Sequence, residues 1–166
     1  YRERKHQKKM PPVELLTTVS KRSEMSRDEI IAFELAEDFI CYRVDPTRKP
    51  VSKCGALLRR LTEEIEVRHE LVLKNMCERL NVQASTAELT FKLIADEMFA
   101  DGVNWGRIAV LYTFGGRIAT HCRDHKINVA KEDIIRWVGE YVCSLKSWIV
   151  KAGGWVNIFC IFLKHF

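Results

Sequence analysis

Three short runs bring chemically capable side chains together. His121, Cys122 and His125 lie within five residues, and two imidazoles one helical turn apart beside a thiol could ligate a metal ion. No second ligand cluster lies near them in the sequence, so the simpler reading is the polar end of a helix, with no metal and no cofactor. Asp96, Glu97 and Asp101 gather carboxylates that could do acid–base work, but charge at a helix end is more commonly solvated or close to a cap. The third run, Asp101-Gly102-Val103-Asn104-Trp105-Gly106-Arg107, is the most informative. Asn104 has the character of a helix N-cap and Trp105 that of a core anchor. Gly106 then needs a reason, because glycine in a first helical turn costs about 1 kcal/mol of propensity. It fits where another backbone must come close. Arg107 beside it is a permanently charged fork suited to grasping a carboxylate. A close-approach notch next to an arginine is what a groove that accepts a helix requires.

Enzymatic signatures are missing. The sequence holds no nucleophile elbow, no phosphate-binding glycine loop and no strand-then-glycine dinucleotide motif. At 166 residues, 47% hydrophobic and 30% charged, the chain has the material for one globular domain. Its net charge of +5 is concentrated in residues 1–22, which carry seven Lys or Arg against two Glu, leaving residues 23–166 neutral. A neutral body excludes a basic nucleic-acid binder. The first 22 residues, with Pro11-Pro12 and no sustained apolar period, are expected to form a flexible basic arm, and residues 23–166 a single helical domain. The six cysteines show no paired spacing, at one per expected helix, which argues against a disulfide framework and for a reducing, intracellular setting. The longest apolar stretches, Ile108–Gly116 and Trp155–Leu163, are far short of the roughly 18 residues of a membrane span.

The elements that must position these residues are helical, since no segment keeps a two-residue alternation. Ser26-Arg27-Asp28-Glu29 forms a capping-box pattern ahead of an amphipathic helix that Asp45-Pro46 stops, with Asp38 on its polar side. A second helix carries Cys54, Leu58, Leu61, Ile65 and Val72 as one apolar stripe. Ser85-Thr86-Ala87-Glu88 is a second capping-box pattern, opening a helix with Leu89, Leu93, Ile94 and Met98 on its apolar side. From Asn104 to Cys122 apolar residues surround the helix, as in a buried one. A further helix holds Ile134, Val138, Tyr141 and Val142, and the last part centres on Trp148-Ile149 and Gly153-Gly154-Trp155. The expected fold is an all-α bundle wrapped around one central apolar helix.

At this point a family resemblance becomes specific. DGVNWGRIAVLYTFGG (101–116) closely resembles the first homology motif of the Bcl-2 family of apoptosis regulators, and WIVKAGGW (148–155) matches its second. LLRRLTEEIEVRHE (57–70) resembles the third motif and ELAEDFICYRV (34–44) the fourth. The resemblance covers about residues 28–163. It implies a bundle of about eight helices and a surface groove that takes up an amphipathic helix from a relative. It assigns to that groove Asn104, Trp105, Gly106, Arg107, Val110 and Phe114, with Arg107 pairing an aspartate of the partner. Ile94, Glu97 and Met98, with Ile65 and Met76, complete its floor and walls, and Phe162 lies near one end. Leu58, Leu61, Thr62, Glu63 and Ile65 become the chain's own third-motif helix, and Trp148, Gly153, Gly154 and Trp155 its second motif.

The implied partners are amphipathic helices of other family proteins, a second copy or a relative in a dimer, and an intracellular membrane surface, mitochondrial or of the endoplasmic reticulum. Within the family, VLKNMCERLNV (72–82) and VGEYVCSLKSWI (138–149) look most like Bok, while STAELTFK (85–92) and FGGRIATHC (114–122) lean towards Bak. That favours a pro-apoptotic effector of membrane permeabilisation; a pro-survival protein that sequesters partner helices is the alternative. One departure bears on this. Where the third motif usually carries Gly-Asp, this chain has Thr62-Glu63, so a branched side chain stands where the helix should approach a receptor. Donation of this helix into another groove is expected to weaken by about 1–3 kcal/mol.

Overall fold

The computed structural model describes residues 23–79 and 81–163, apart from the side chains of residues 79, 159 and 161–163. The expected basic arm, residues 1–22, lies outside the described residues. Among them the chain forms seven helices and no strand. These are α1 (Arg27–Val44), α2 (Lys53–Arg79), α3 (Ala87–Met98), α4 (Trp105–Asp124), α5 (Lys131–Ser144), α6 (Lys146–Lys151) and α7 (Trp155–Leu163). Two of the six cysteines, Cys54 and Cys77, share α2, and α3 and α6 have none, so the expectation of one per helix does not hold. All six are free thiols.

The first capping box forms as expected. Ser26 Oγ accepts from the Glu29 N–H at 3.3 Å, and the Ser26 N–H donates to Glu29 Oε2 at 2.8 Å. The second does not. Thr86 has a helical backbone and no side-chain cap bond, its hydroxyl instead donating to the Gln83 carbonyl. Glu88 is drawn away to Lys92, 3.0 Å along the same helix. α3 therefore begins without the side-chain capping that fixes α1.

Asp38 departs from its expected polar side. Its carboxylate is buried between α1 and α2, where Arg59 donates to it twice, Nη2 to Oδ1 at 2.8 Å and Nε to Oδ2 at 3.2 Å. The side chains are only 3% and 10% exposed. The Val51 N–H adds a third donor, Arg59 Nη1 reaches the Arg48 carbonyl at 2.6 Å, and the guanidinium lies 4.1 Å over the Tyr42 ring. One turn further on Arg43 meets Glu66 at 2.9 Å. Two ion pairs thus bind the first half of α2 to α1.

α2 also breaks the expected single stripe. His69 has φ −124° and ψ 19°, a kink inside the helix. Up to it Leu57, Leu58, Leu61 and Thr62 are buried; beyond it the buried positions are Leu73 and Cys77, while Val72 is 57% exposed. The kink advances the buried face by one residue, which a straight-helix stripe cannot show.

α4 is the axis of the bundle, with Ile108, Leu111, Tyr112, Phe114 and Ile118 all buried. α1, α2 and α5 pack along it, and α1 packs still more extensively on α5. These approaches are close: a Cβ on Gly115 would come within 2.5 Å of Val138 Cγ2, and one on Gly139 would run into the Phe33 ring. Tyr112 Oη donates to the Ala32 carbonyl at 2.9 Å, pinning α4 to α1. α7 begins after Gly153 and Gly154, both at positive φ, and Trp155 Nε1 donates to the Asp28 carbonyl at 3.0 Å. The polar end of α4 abuts the second half of α2 around a cavity of about 140 Å³, lined by Lys74, Cys77, Glu78, Arg117, Thr120, His121, Asp124 and His125. There the His121 and His125 rings stack at 4.0 Å. Burial, and then the neighbouring imidazole, hold His121 below its ordinary pKa of 6.5.

Two outcomes follow. Asp38→Ala strands Arg59 without its counter-charge and is expected to cost about 3–5 kcal/mol in chemical denaturation, whereas the apolar pair Asp38→Leu/Arg59→Met costs clearly less. Because His121 binds its proton more weakly folded than unfolded, stability is expected to rise with pH through the imidazole range. Acidification from pH 7 to 5 therefore lowers the unfolding midpoint, and His121→Gln flattens that slope. The same slope in the variant would contradict the assignment.

Candidate helix-binding groove

The first turn of α4 is built as its sequence requires. Asn104 is extended, at φ −151° and ψ 165°, and its Oδ1 accepts from the Arg107 N–H at 2.8 Å. The remaining first-turn N–H groups face outward with the positive end of the helix dipole. Trp105 is buried against Trp148 and Trp155, at ring distances of 5.2 and 5.3 Å. Gly106 is exposed; a Cβ there would crowd the oxygen of its own cap, Asn104, at 3.3 Å, and would meet nothing else among the described residues. Apart from easing that cap, its bareness serves no internal packing and leaves room for a molecule from outside. Arg107 is half-buried, with Nη1 donating to the Gly102 carbonyl at 2.6 Å. Gly102 sits at φ +115°, and its N–H donates to the Phe99 carbonyl at 3.1 Å. The turn after α3 therefore holds the guanidinium at one corner and leaves its other N–H groups available.

α2 and α3 both pack on α4 but scarcely on each other. Between them Arg107 and Val110, both half-buried, follow one face of α4. Ile65 and Met76 on α2, and Ile94 and Met98 on α3, are half-buried at the edge of the core, and Glu97 is exposed. Phe114 continues the face of Arg107 and Val110 one turn deeper but is wholly buried, its ring stacked on Phe91 at 5.9 Å. It is a core residue beneath the cleft. The Phe162 side chain lies outside the described residues.

Sequence reasoning placed Val72, Leu89 and Leu93 inside. They are 57%, 61% and 60% exposed, and Val67 and Leu71 are exposed as well. Five large apolar side chains are thus left in water on the two helices that flank the cleft; Val51, Val150 and Val156 are exposed elsewhere. The signal for α3 was present in the spacing: Phe91 and Ala95 are the buried pair, and Leu89 and Leu93 cannot share their side of a helix.

Three of the chain's own five third-motif residues are inside the bundle. Leu58, Leu61 and Thr62 are buried, Ile65 is half-buried and Glu63 is exposed. Thr62 Oγ1 donates to the Arg59 carbonyl at 2.9 Å, so its hydroxyl is satisfied within the helix. In the second motif Trp148 and Trp155 join the Trp105 cluster, and Gly153 and Gly154 make the turn between α6 and α7.

The other two runs separate. Asp96 accepts from Tyr141 Oη at 2.8 Å, and Glu97 and Asp101 are exposed. Cys122 is buried at the side of α4, and burial raises its thiol pKa. Among the described residues no group of three or more His, Cys, Asp or Glu is arranged to hold a metal ion.

The chain is similar to known proteins over most of this bundle. A family model described as apoptosis regulator proteins, Bcl-2 family, matches residues 58–155. Human Bcl-2-like protein 1 is 32% identical over 107 residues, which is 64% of this chain and 46% of that protein. Dog Bcl-2 is 33% identical over 112 residues, 66% of this chain and 48% of its own length. The chain spans about half the length of these curated relatives. Two solved structures share its fold at 26% identity. Trichoplax adhaerens trBcl-2L2 bound to trBak BH3 has a TM-score of 0.75 over 82% of this chain and 99% of that one. Chicken BOK has a TM-score of 0.69 over 81% and 97%. With the family pattern running through more than half of its length, on a bundle of the same shape, the chain belongs to the Bcl-2 family of apoptosis regulators.

Proposed function

We propose that the chain regulates apoptosis as a receptor, taking the amphipathic third-motif helix of another family protein into the cleft between α2 and α3. The observation that carries this reading is the bare Gly106 beside Arg107. Beyond the Asn104 cap and one hydrogen bond to the Gly102 carbonyl, the chain's own packing makes no use of either, and both sit at the positive end of α4. A helix docked there would lay its apolar side over Val110, Ile65, Met76, Ile94 and Met98 and set an acidic residue against Arg107. The solved complex of the Trichoplax relative with a third-motif helix supports the same use of the shared fold.

Sequestration is the direction we favour. The chain's own third-motif helix is held to α1 by Asp38–Arg59 and Arg43–Glu66 and carries a buried Thr62 in place of the usual glycine. Such a helix is better placed to complete a receptor than to be donated. A Bok-like effector that permeabilises intracellular membranes is the second reading, favoured by the likeness to chicken BOK and by a central helix apolar on all sides. Among the described residues no helix is long and apolar enough to cross a membrane.

Calorimetric titration with third-motif peptides is expected to give binding that Arg107→Glu weakens by at least about 30-fold. The unfolding midpoint should stay close to wild type, because Arg107 makes one exposed hydrogen bond. Binding of equal strength in the variant would sink the receptor reading. Dye-loaded liposomes decide the direction: sequestration predicts no leakage after acid or peptide treatment, and release of dye would establish the effector.

A further inference from the structure

α3 is held to the bundle differently from every other wall of the cleft. Its start lacks a side-chain cap, and it packs more on α5 than on α4. On the α5 side one residue makes three of the contacts. Tyr141 Oη donates to Asp96 Oδ1 at 2.8 Å, the Tyr141 ring stacks on Phe99 at 5.6 Å, and it meets the Phe91 ring edge-on at 6.5 Å. Trp137 adds a tilted contact with the Phe91 ring at 6.1 Å, and Arg136 approaches Glu88 at 3.7 Å between two half-exposed side chains, which adds little. Asp96 and Phe99 lie on the side of α3 turned to α5, and Ile94 and Glu97 on the other. Burial and the Asp96 carboxylate push the Tyr141 hydroxyl up to about 12, so it stays a donor at any physiological pH.

The same contact continues towards Arg107. Phe99, stacked on Tyr141, accepts from the Gly102 N–H at 3.1 Å, and the Gly102 carbonyl accepts from Arg107 Nη1 at 2.6 Å. We propose that Tyr141 is the positioning residue of the cleft: from α5 it sets where α3 stands and, through Phe99 and Gly102, where the Arg107 guanidinium points. The proposal rests on the receptor reading only for what the cleft binds.

Tyr141→Phe keeps the stacked ring and removes only the O–H, Asp96→Ala removes the acceptor, and the double variant closes a cycle. Residue-resolved amide hydrogen exchange should show α3 amides exchanging roughly tenfold faster in Tyr141→Phe, with α4 and the global unfolding midpoint little changed. Asp96→Ala should match it and the double variant add nothing further. Peptide affinity, where wild type binds, should fall several-fold in parallel. Unchanged α3 exchange in Tyr141→Phe, or effects of the two single variants that simply add, overturns the proposal. Exchange needs no peptide, so the two ideas fail separately: a wild type without peptide binding ends the receptor reading alone.

Discussion

A helix that is apolar on every side through its middle turns must be covered there, and most of this fold follows from covering one such helix. α4 buries Ile108, Leu111, Tyr112, Phe114 and Ile118, which point in different directions around its axis. α1 and α5 cover it from one side, close enough that Gly115 and Gly116 are needed at the contacts. α2 covers another part. The cover is thinnest towards the first turn, where α2 and α3 diverge and Gly106, Arg107 and Val110 come towards the surface. The candidate cleft is the place where the covering of α4 stops, and its floor is the same helix that organises the core.

Its two walls are fastened by different physics. α2 is fixed through ion pairs, one of them almost fully desolvated, and a desolvated pair is costly to separate because it strands a charge. Among the described residues α3 has no such pair: it is fixed by the buried Ala87, Phe91 and Ala95, by ring contacts of Phe91 and Phe99 with Phe114, Trp137 and Tyr141, by one tyrosine hydroxyl and by a weak surface pair. The hydroxyl and the ring contacts are each worth on the order of 1 kcal/mol. The wall without a desolvated ion pair is the one expected to give, and under the proposed receptor role it would be the one to adjust to partner helices of differing bulk. The kink at His69 contributes as well, turning Val72 outward while Leu73 and Cys77 anchor the same segment.

Much of this was written locally and could be found there. The Ser26 box, the Asn104 cap, the apolar α4 and the odd pairing of Gly106 with Arg107 each depend on neighbours within one turn. The four motifs carried the family and, with it, Arg107. What sequence patterning missed depends on contacts far along the chain or on backbone geometry. Asp38 looked solvated because its partner stands 21 positions away on another helix. Val72 looked buried because a stripe assumes a straight helix. Thr86 and Glu88 made a capping pattern that Lys92 and Gln83 outcompete. Leu89 and Leu93 were taken for core because they are leucines, although Phe91 and Ala95 already define the buried side of α3. Phe114 was named with the cleft, yet Phe91 covers it.

The central claim is that Arg107 meets an acidic residue of an incoming helix, and a charge swap tests it most directly. Arg107→Asp protein would be titrated with a third-motif peptide whose motif Asp is replaced by Arg, alongside both single changes. If the two charges face one another, each single change weakens binding and the swapped pair recovers much of the loss. Losses that merely add in the swapped pair would mean that Arg107 and that residue do not meet, and the account of the cleft would be wrong.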